Sequence, residues 1–171
     1  MNKGNNHLRS GRTNQSGGRP QSSSYYKDAK PIKLPESYLE EGYFDSEGLP
    51  RRELYVEMAE EVAKKFGVVG DSSSRLRKYY NEVRTIWEVV NADKNGSEKA
   101  FHSNRHRLYK LRATASYDSN REDGRSSRIL YDFINKNVQI AEKSLKHYKV
   151  FMDHFMCIMG YFKENGGKSK W

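Results

Sequence analysis

Between Leu145 and Phe162 the sequence repeats apolar side chains at helical spacing. Leu145, Tyr148, Met152, Phe155, Met159 and Phe162 stand at offsets of 0, 3, 7, 10, 14 and 17. Phe151 and Ile158 widen the stripe. A helix with so broad an apolar face needs neighbours on several sides, so the spacing predicts the central helix of a bundle over about 143–164. Gly166-Gly167 is expected to end it.

The rest of the chain supplies those neighbours. A first helix is expected near 51–66, with Tyr55, Met58, Ala59, Val62 and Phe66 on one face. The stretch 72–90, SSSRLRKYYNEVRTIWEVV, carries Leu76, Tyr79, Tyr80, Val83, Ile86, Trp87 and Val90 at offsets of 0, 3, 4, 7, 10, 11 and 14, and the Asp/Ser cluster 71–74 caps it. A third helix is expected from about 98 to 119, after an Asn95-Gly96 turn and a Ser97 cap, packing through Phe101, Leu108, Leu111 and Ala115. A fourth follows REDGRS and packs through Leu130, Phe133, Ile134, Val138 and Ala141. No alternating run of β-branched residues and no repeat of 20–50 residues is present. The expected fold is all-α, a single five-helix bundle. With 171 residues, one domain of this kind buries its own core.

The expected domain spans 36–165. The broken segment 31–50 forms the transition into it and has Tyr38, Leu39, Tyr43 and Phe44 with which to dock on the core. Residues 1–35 read as a disordered basic arm, because Gly, Ser, Asn, Gln and Arg leave almost nothing to bury. Residues 1–30 alone carry six Lys/Arg against one acid. Residues 166–171 read as a flexible tail.

The formal charge of +9 argues for a polyanionic partner or an acidic protein surface. It is unevenly distributed. Residues 36–61 hold nine acids and two bases, whereas 72–121 hold eleven bases and five acids. Two such poles suit copies stacking acidic face on basic face, or RNA on one face and protein on another. On the second helix Arg77, Asn81 and Arg84 form a row beside Arg75 and Lys78; Arg77 and Arg84 are about 10.5 Å apart along the axis, a reach of one or two nucleotides. On the third, Arg105 and Arg112 border the apolar face, while Arg107 and Lys110 point away from it. The planar fork of Arg suits phosphate, and no base-reading motif accompanies it, so backbone contact without sequence preference is expected. Ordinary solvated helix explains part of the face, since Lys78–Glu82 and Arg84–Glu88 are spaced as i, i+4 pairs.

Catalytic and metal patterns are absent from the sequence. His102 and His106 share helical spacing but have no third ligand at useful distance. Helical ribonucleases of one kind use an Arg, four to six residues and then a His, and none of the five histidines follows that rule. There is no nucleophile elbow or phosphate-cradling loop, and GVVGDSSS at 67–74 is explained by capping. The expectation is a protein that is not an enzyme and carries no cofactor. The single cysteine, Cys157, excludes an intrachain disulfide and fits an inert core thiol. Neither a secretory h-region nor a run of about 20 apolar residues occurs, so a cytoplasmic protein with no membrane partner is expected.

Three segments together resemble one family. YLEEGYFDSEGLPRREL leads into MAEEVAKKF, SSSRLRKYYNEVRTIW follows, and VFMDHFMCIMGYFKENGG closes the chain. In this, residues from about 38 to 165 resemble the small subunit of type III-A CRISPR–Cas effector (Csm) complexes. The resemblance implies a helical bundle without nuclease activity, several copies of which line up along the guide RNA and target RNA beside the backbone subunits and the large subunit. Arg77, Lys78 and Asn81 match the family's second-helix motif, and Lys163 matches the lysine of its closing motif. In LYKLRATASY, Arg112 stands where the family often has a first lysine, Ala113 replaces a proline and Thr114 replaces a second lysine. That departure removes one family contact, for which Lys110 is the expected substitute. Beside this reading stand a helical adaptor that binds an acidic protein and, less favoured by the residues, a ribonuclease.

Overall fold

The computed structural model describes residues 32–71, 73–93, 97–121 and 125–164, together with Met1. The basic arm expected over 1–35 and the tail over 166–171 lie outside them except for Met1 and residues 32–35, as do the Asn95-Gly96 turn and Gly166-Gly167. The helices all belong to the unit Pro31–Trp171.

A 3₁₀ turn at Arg52–Leu54 precedes six helical segments: α1 (Glu57–Val68), α2 (Ser73–Ala92), α3 (Ser97–Asn104), α4 (His106–Arg121), α5 (Arg125–Ala141) and α6 (Leu145–Glu164). Segments α3 and α4 are the expected third helix, interrupted at Arg105, so the all-α five-helix bundle is what the chain forms. The interruption has a local cause. Asn104 Nδ2 donates to the Ala100 carbonyl at 2.9 Å, and the His106 ring bonds the Ser103 carbonyl at 3.1 Å. Both side chains compete for carbonyls that the helical ladder uses. Arg105 then ties the break to the turn between α5 and α6 by donating to the Glu142 carbonyl at 3.2 Å.

Helix α6 is central, as its stripe required: α1, α2, α3 and α5 all pack against it. Its N-terminus is well satisfied. The Ser144 hydroxyl accepts the His147 N–H at 3.3 Å, and the Glu98 carboxylate of α3 accepts the Leu145 N–H at 3.3 Å. Tyr148, Phe151, Phe155 and Ile158 are fully buried, while Met152 and Met159 are only half-buried. The buried face is therefore centred off the stripe read from the sequence, and it includes His154. At the middle of the core Phe133 of α5 meets Phe155 at 5.0 Å and Phe66 of α1 at 5.7 Å, both edge-on, with Phe151 at 6.1 Å. Such geometries are favoured by the ring quadrupoles.

Segment 32–50 docks on this core through Leu34, Tyr38, Leu39 and Tyr43. Its fixing is polar as well as apolar. The Leu54 carbonyl accepts His154 Nδ1–H at 2.5 Å, so His154 Nε2 accepts the Tyr38 hydroxyl at 2.9 Å. Asn137 Nδ2 donates to the Tyr38 oxygen at 2.7 Å and to the Phe133 carbonyl at 2.8 Å, and its Oδ1 accepts the Tyr43 hydroxyl at 2.7 Å. This buried chain joins the N-terminal segment to α5 and α6 with each named group satisfied. The loop after it closes on Asp45, whose carboxylate accepts the Glu47 and Leu49 N–H groups at 2.9 Å, with Gly48 at φ 75°.

One glycine is out of place thermodynamically. Gly160 lies inside α6, and a Cβ added there meets nothing within 4 Å. Gly160→Ala is expected to raise stability by about 0.5–1 kcal/mol, seen as a higher urea midpoint with an unchanged slope. A lower midpoint would show that the glycine has a packing role.

Candidate nucleic-acid interface

The ten residues expected to contact RNA divide into groups by where the helices carry them. Lys78 of α2 and Arg107 and Lys110 of α4 line one groove of about 370 Å³. Tyr79, Ile86 and Leu111 form its apolar wall, and Glu82, His106 and Thr114 complete it. The helices are antiparallel there. Near the start of α2, Lys78 Nζ reaches Asp118 near the end of α4 at 3.2 Å, and the Tyr79 hydroxyl donates to the same carboxylate at 2.7 Å.

The position of Arg107 differs from the sequence reading, whereas Lys110 is exposed. Helical period placed them away from the apolar face, with Arg105 and Arg112 bordering it. Because α4 packs against both α5 and α2, Arg107 is partly covered on the side next to Leu111, while Lys110 and Thr114 stay exposed at the groove. Arg107 is half-buried, and its Nε is buried with no hydrogen-bond partner among the described residues. Arg112 is exposed.

Arg77, Asn81 and Arg84 occupy the exposed arc of α2, about 100° round from Lys78. Arg84 pairs with Glu88 at 2.9 Å, but both side chains are more than half exposed, and such a pair contributes only about 0.3–0.5 kcal/mol. Exchange for a phosphate is therefore cheap. Arg75 has a structural partner: its guanidinium lies 3.4 Å from Asp71, whose side chain is fully buried. Lys163 is exposed in the last turn of α6. Arg105 serves the α3–α4 break. Thus the structure gathers Lys78, Arg107 and Lys110 at one groove, keeps Arg77, Asn81 and Arg84 as an outer row, and places Arg75, Arg105 and Lys163 elsewhere.

The groove also recruits residues that the sequence did not single out for it, namely Glu82, His106 and Thr114. No pattern along the chain signals them, because the groove exists only where two helices meet. His102 and His106 stand on opposite sides of the Arg105 break, and His102 Nε2 lies 4.0 Å from Glu98. Among the described residues no three His, Cys, Asp or Glu side chains are grouped as metal ligands, and no helix is long and apolar enough to cross a membrane. Cys157 is half-buried rather than a full core residue, and burial together with Asp153 pushes its thiol pKa up.

The acidic pole is on the other side of the sequence boundary. Glu57 and Glu61 are exposed along α1, and Glu40, Glu41, Glu47 and Glu53 in the segment before it. Lys64–Glu60 and Lys65–Glu61 pairs offset part of it.

Comparison with known proteins gives one family. The family model described as Csm2 Type III-A matches residues 50–168. No curated protein and no solved structure matches the chain.

Proposed function

Because the chain belongs to the Csm2 family and is thereby a subunit of a type III-A CRISPR effector complex, we propose that its basic α2–α4 side holds RNA. In this reading the protein is a non-catalytic structural subunit. Several copies line up along the guide RNA–target RNA duplex, beside the backbone subunits and the large subunit, in the service of antiviral defence in the cytoplasm. The observation that carries the RNA reading is the convergence of Lys78, Arg107 and Lys110 from two helices, flanked by exposed Arg77 and Arg84. Five cationic groups on adjoining faces, with one carboxylate among the groove residues, favour a phosphate backbone over an apolar partner. The family position Asn81 extends the same surface with a neutral donor, while Lys163 adds a cation apart from it, in the last turn of α6. The acidic α1 and the basic α2 and α4 favour contact between neighbouring copies, since one copy's acidic face complements the next copy's basic face.

Salt dependence tests the phosphate model. With four or five contacts to single-stranded backbone, log affinity is expected to fall against log salt with a slope near −3, at about 0.7 per contact. Arg77→Glu combined with Arg84→Glu should leave the bundle folded, weaken RNA binding about tenfold or more and flatten that slope. A flat response in the unmodified protein would sink the model. Partners that stay attached after nuclease treatment would instead assign the basic face to an acidic protein.

A further inference from the structure

Helix α4 leaves two aromatic rings in solvent, and we propose that Tyr109 and Tyr117 are a stacking platform for unpaired bases of an RNA strand. The inference rests on the RNA reading and deepens it, from phosphate contact alone to contact with base faces as well.

Three observations carry it. The first is exposure. Tyr109 is 47 % exposed and Tyr117 63 %, whereas every other aromatic ring among the described residues is buried or half-buried. The second is spacing. Tyr109, Ala113 and Tyr117 are residues i, i+4 and i+8 of α4 and form one ridge along it. The two rings stand about 12 Å apart along the axis, a reach of about two nucleotides. Ala113 between them is small and exposed, so the ridge is low where a strand passes from one ring to the other. The third is charge. From His106 to Tyr117 the helix carries Arg107, Lys110 and Arg112 and no acid. Lys110 stands about 20° round the helix from Tyr117 and Arg112 about 60° from Tyr109, and both cations are exposed. Each ring thus has a cation beside it. Rings for the π-faces of bases, with cations for the phosphates between them, are the two parts of a single-strand site. A neutral apolar partner would instead leave those cations desolvated and unpaired.

Two acids adjoin the ridge, and both are engaged. Glu142 hydrogen-bonds the Tyr109 hydroxyl, with Arg105 beside that ring. Asp118 accepts Lys78 at 3.2 Å and the Tyr79 hydroxyl at 2.7 Å. The bond to Glu142 holds the Tyr109 ring in advance, which lowers the ordering cost of a contact on its face. The strand must be unpaired, because bases inside a duplex already stack on one another.

The test uses the full-length protein, a 12-nucleotide single-stranded RNA and a 12-base-pair RNA duplex. Tyr109→Ala and Tyr117→Ala each remove a ring from an exposed position and change no charge, while Tyr109→Phe and Tyr117→Phe keep the ring. If the rings stack bases, each Ala variant binds the single strand about fivefold or more weakly, and each Phe variant binds it within about twofold of the unmodified protein. The salt slope and the duplex affinity stay unaltered, because no phosphate contact has been removed. Unaltered single-strand affinity in the folded Ala variants overturns the platform and leaves the backbone reading standing. Loss of a copurifying subunit from those variants would then assign the rings to a protein interface. Equal weakening for strand and duplex, or weakening in the Phe variants as large as in the Ala variants, also overturns the platform, because stacking explains neither. Failure of the unmodified protein to bind either RNA overturns the backbone reading and the platform together. A Tyr109→Ala variant that loses its fold with the Glu142 bond leaves the decision to Tyr117→Ala.

Discussion

Phe133→Ala is expected to destabilise the bundle by about 3–5 kcal/mol, a large fraction of the roughly 5–15 kcal/mol that holds a domain of this kind together. Phe133 is fully buried and lies between α1 and α6. Its ring meets Phe66, Phe151, Phe155 and Tyr38 within 6.2 Å, and it also stands 6.0 Å from His154. Truncation removes the transfer free energy of the ring and leaves a cavity that three helices and a docked segment cannot all close at once. Urea unfolding at neutral pH measures the loss. A cost below about 1 kcal/mol would mean that the helices collapse into the gap, and the aromatic cluster would then not be the centre of the core. Phe133→Leu keeps most of the volume and should recover more than half of the loss.

Acidification is expected to weaken the fold through His154. Burial pushes its imidazole down to about 4, from an ordinary value near 6.5. In the folded chain the ring is neutral, with Nδ1–H given to Leu54 and Nε2 accepting from Tyr38. Between pH 6.5 and 4 the unfolded chain therefore binds a proton that the folded chain does not, and stability falls as pH falls. It is fully present above about 6.5, and the total loss approaches about 3.5 kcal/mol, at about 1.4 kcal/mol per pH unit. His147, lowered by burial and by Lys143 and Lys146, acts in the same sense. Asp153, raised by burial, acts in the opposite sense nearer its own titration. Urea midpoints measured from pH 7 to 4.5 test this. His154→Gln should be less stable at pH 7 and should lose most of the pH dependence; equal slopes in the two proteins would show that His154 is not the group responsible.

The two predictions differ in how far the sequence foretold them. Phe133 belongs to a helical stripe that the spacing alone would bury, because a period of 3.6 residues fixes which side chains share a face. The same holds for Leu76, Val83 and Val90 of α2, and for Phe101, Leu108 and Leu111 across the interrupted third helix, all of which are buried. His154 was legible only as a histidine near an aromatic stripe. Its partners, Tyr38 and Leu54, are 116 and 100 residues away along the chain, and no local pattern marks a buried polar chain of that reach. The break at Arg105 lies between these cases. Asn104 and His106 are local and polar and bond nearby carbonyls, while the contact of Arg105 with the Glu142 carbonyl joins the break to a segment 37 residues away.

The candidate interface shows the same division. The excess of bases over 72–121 is a property of the sequence, and so is the row Arg77, Asn81 and Arg84, because charge and helical angle belong to each helix alone. Helical angle is measured about a helix's own axis and contains nothing about the neighbour that lies there. That Arg107 is half-buried beside α2, that Lys78 meets Asp118, and that cations of two helices line one groove were decided by the packing of α4 between α5 and α2. Packing of this kind depends on side-chain volumes from several segments at once, which is why the faces could be read along the chain and the groove could not.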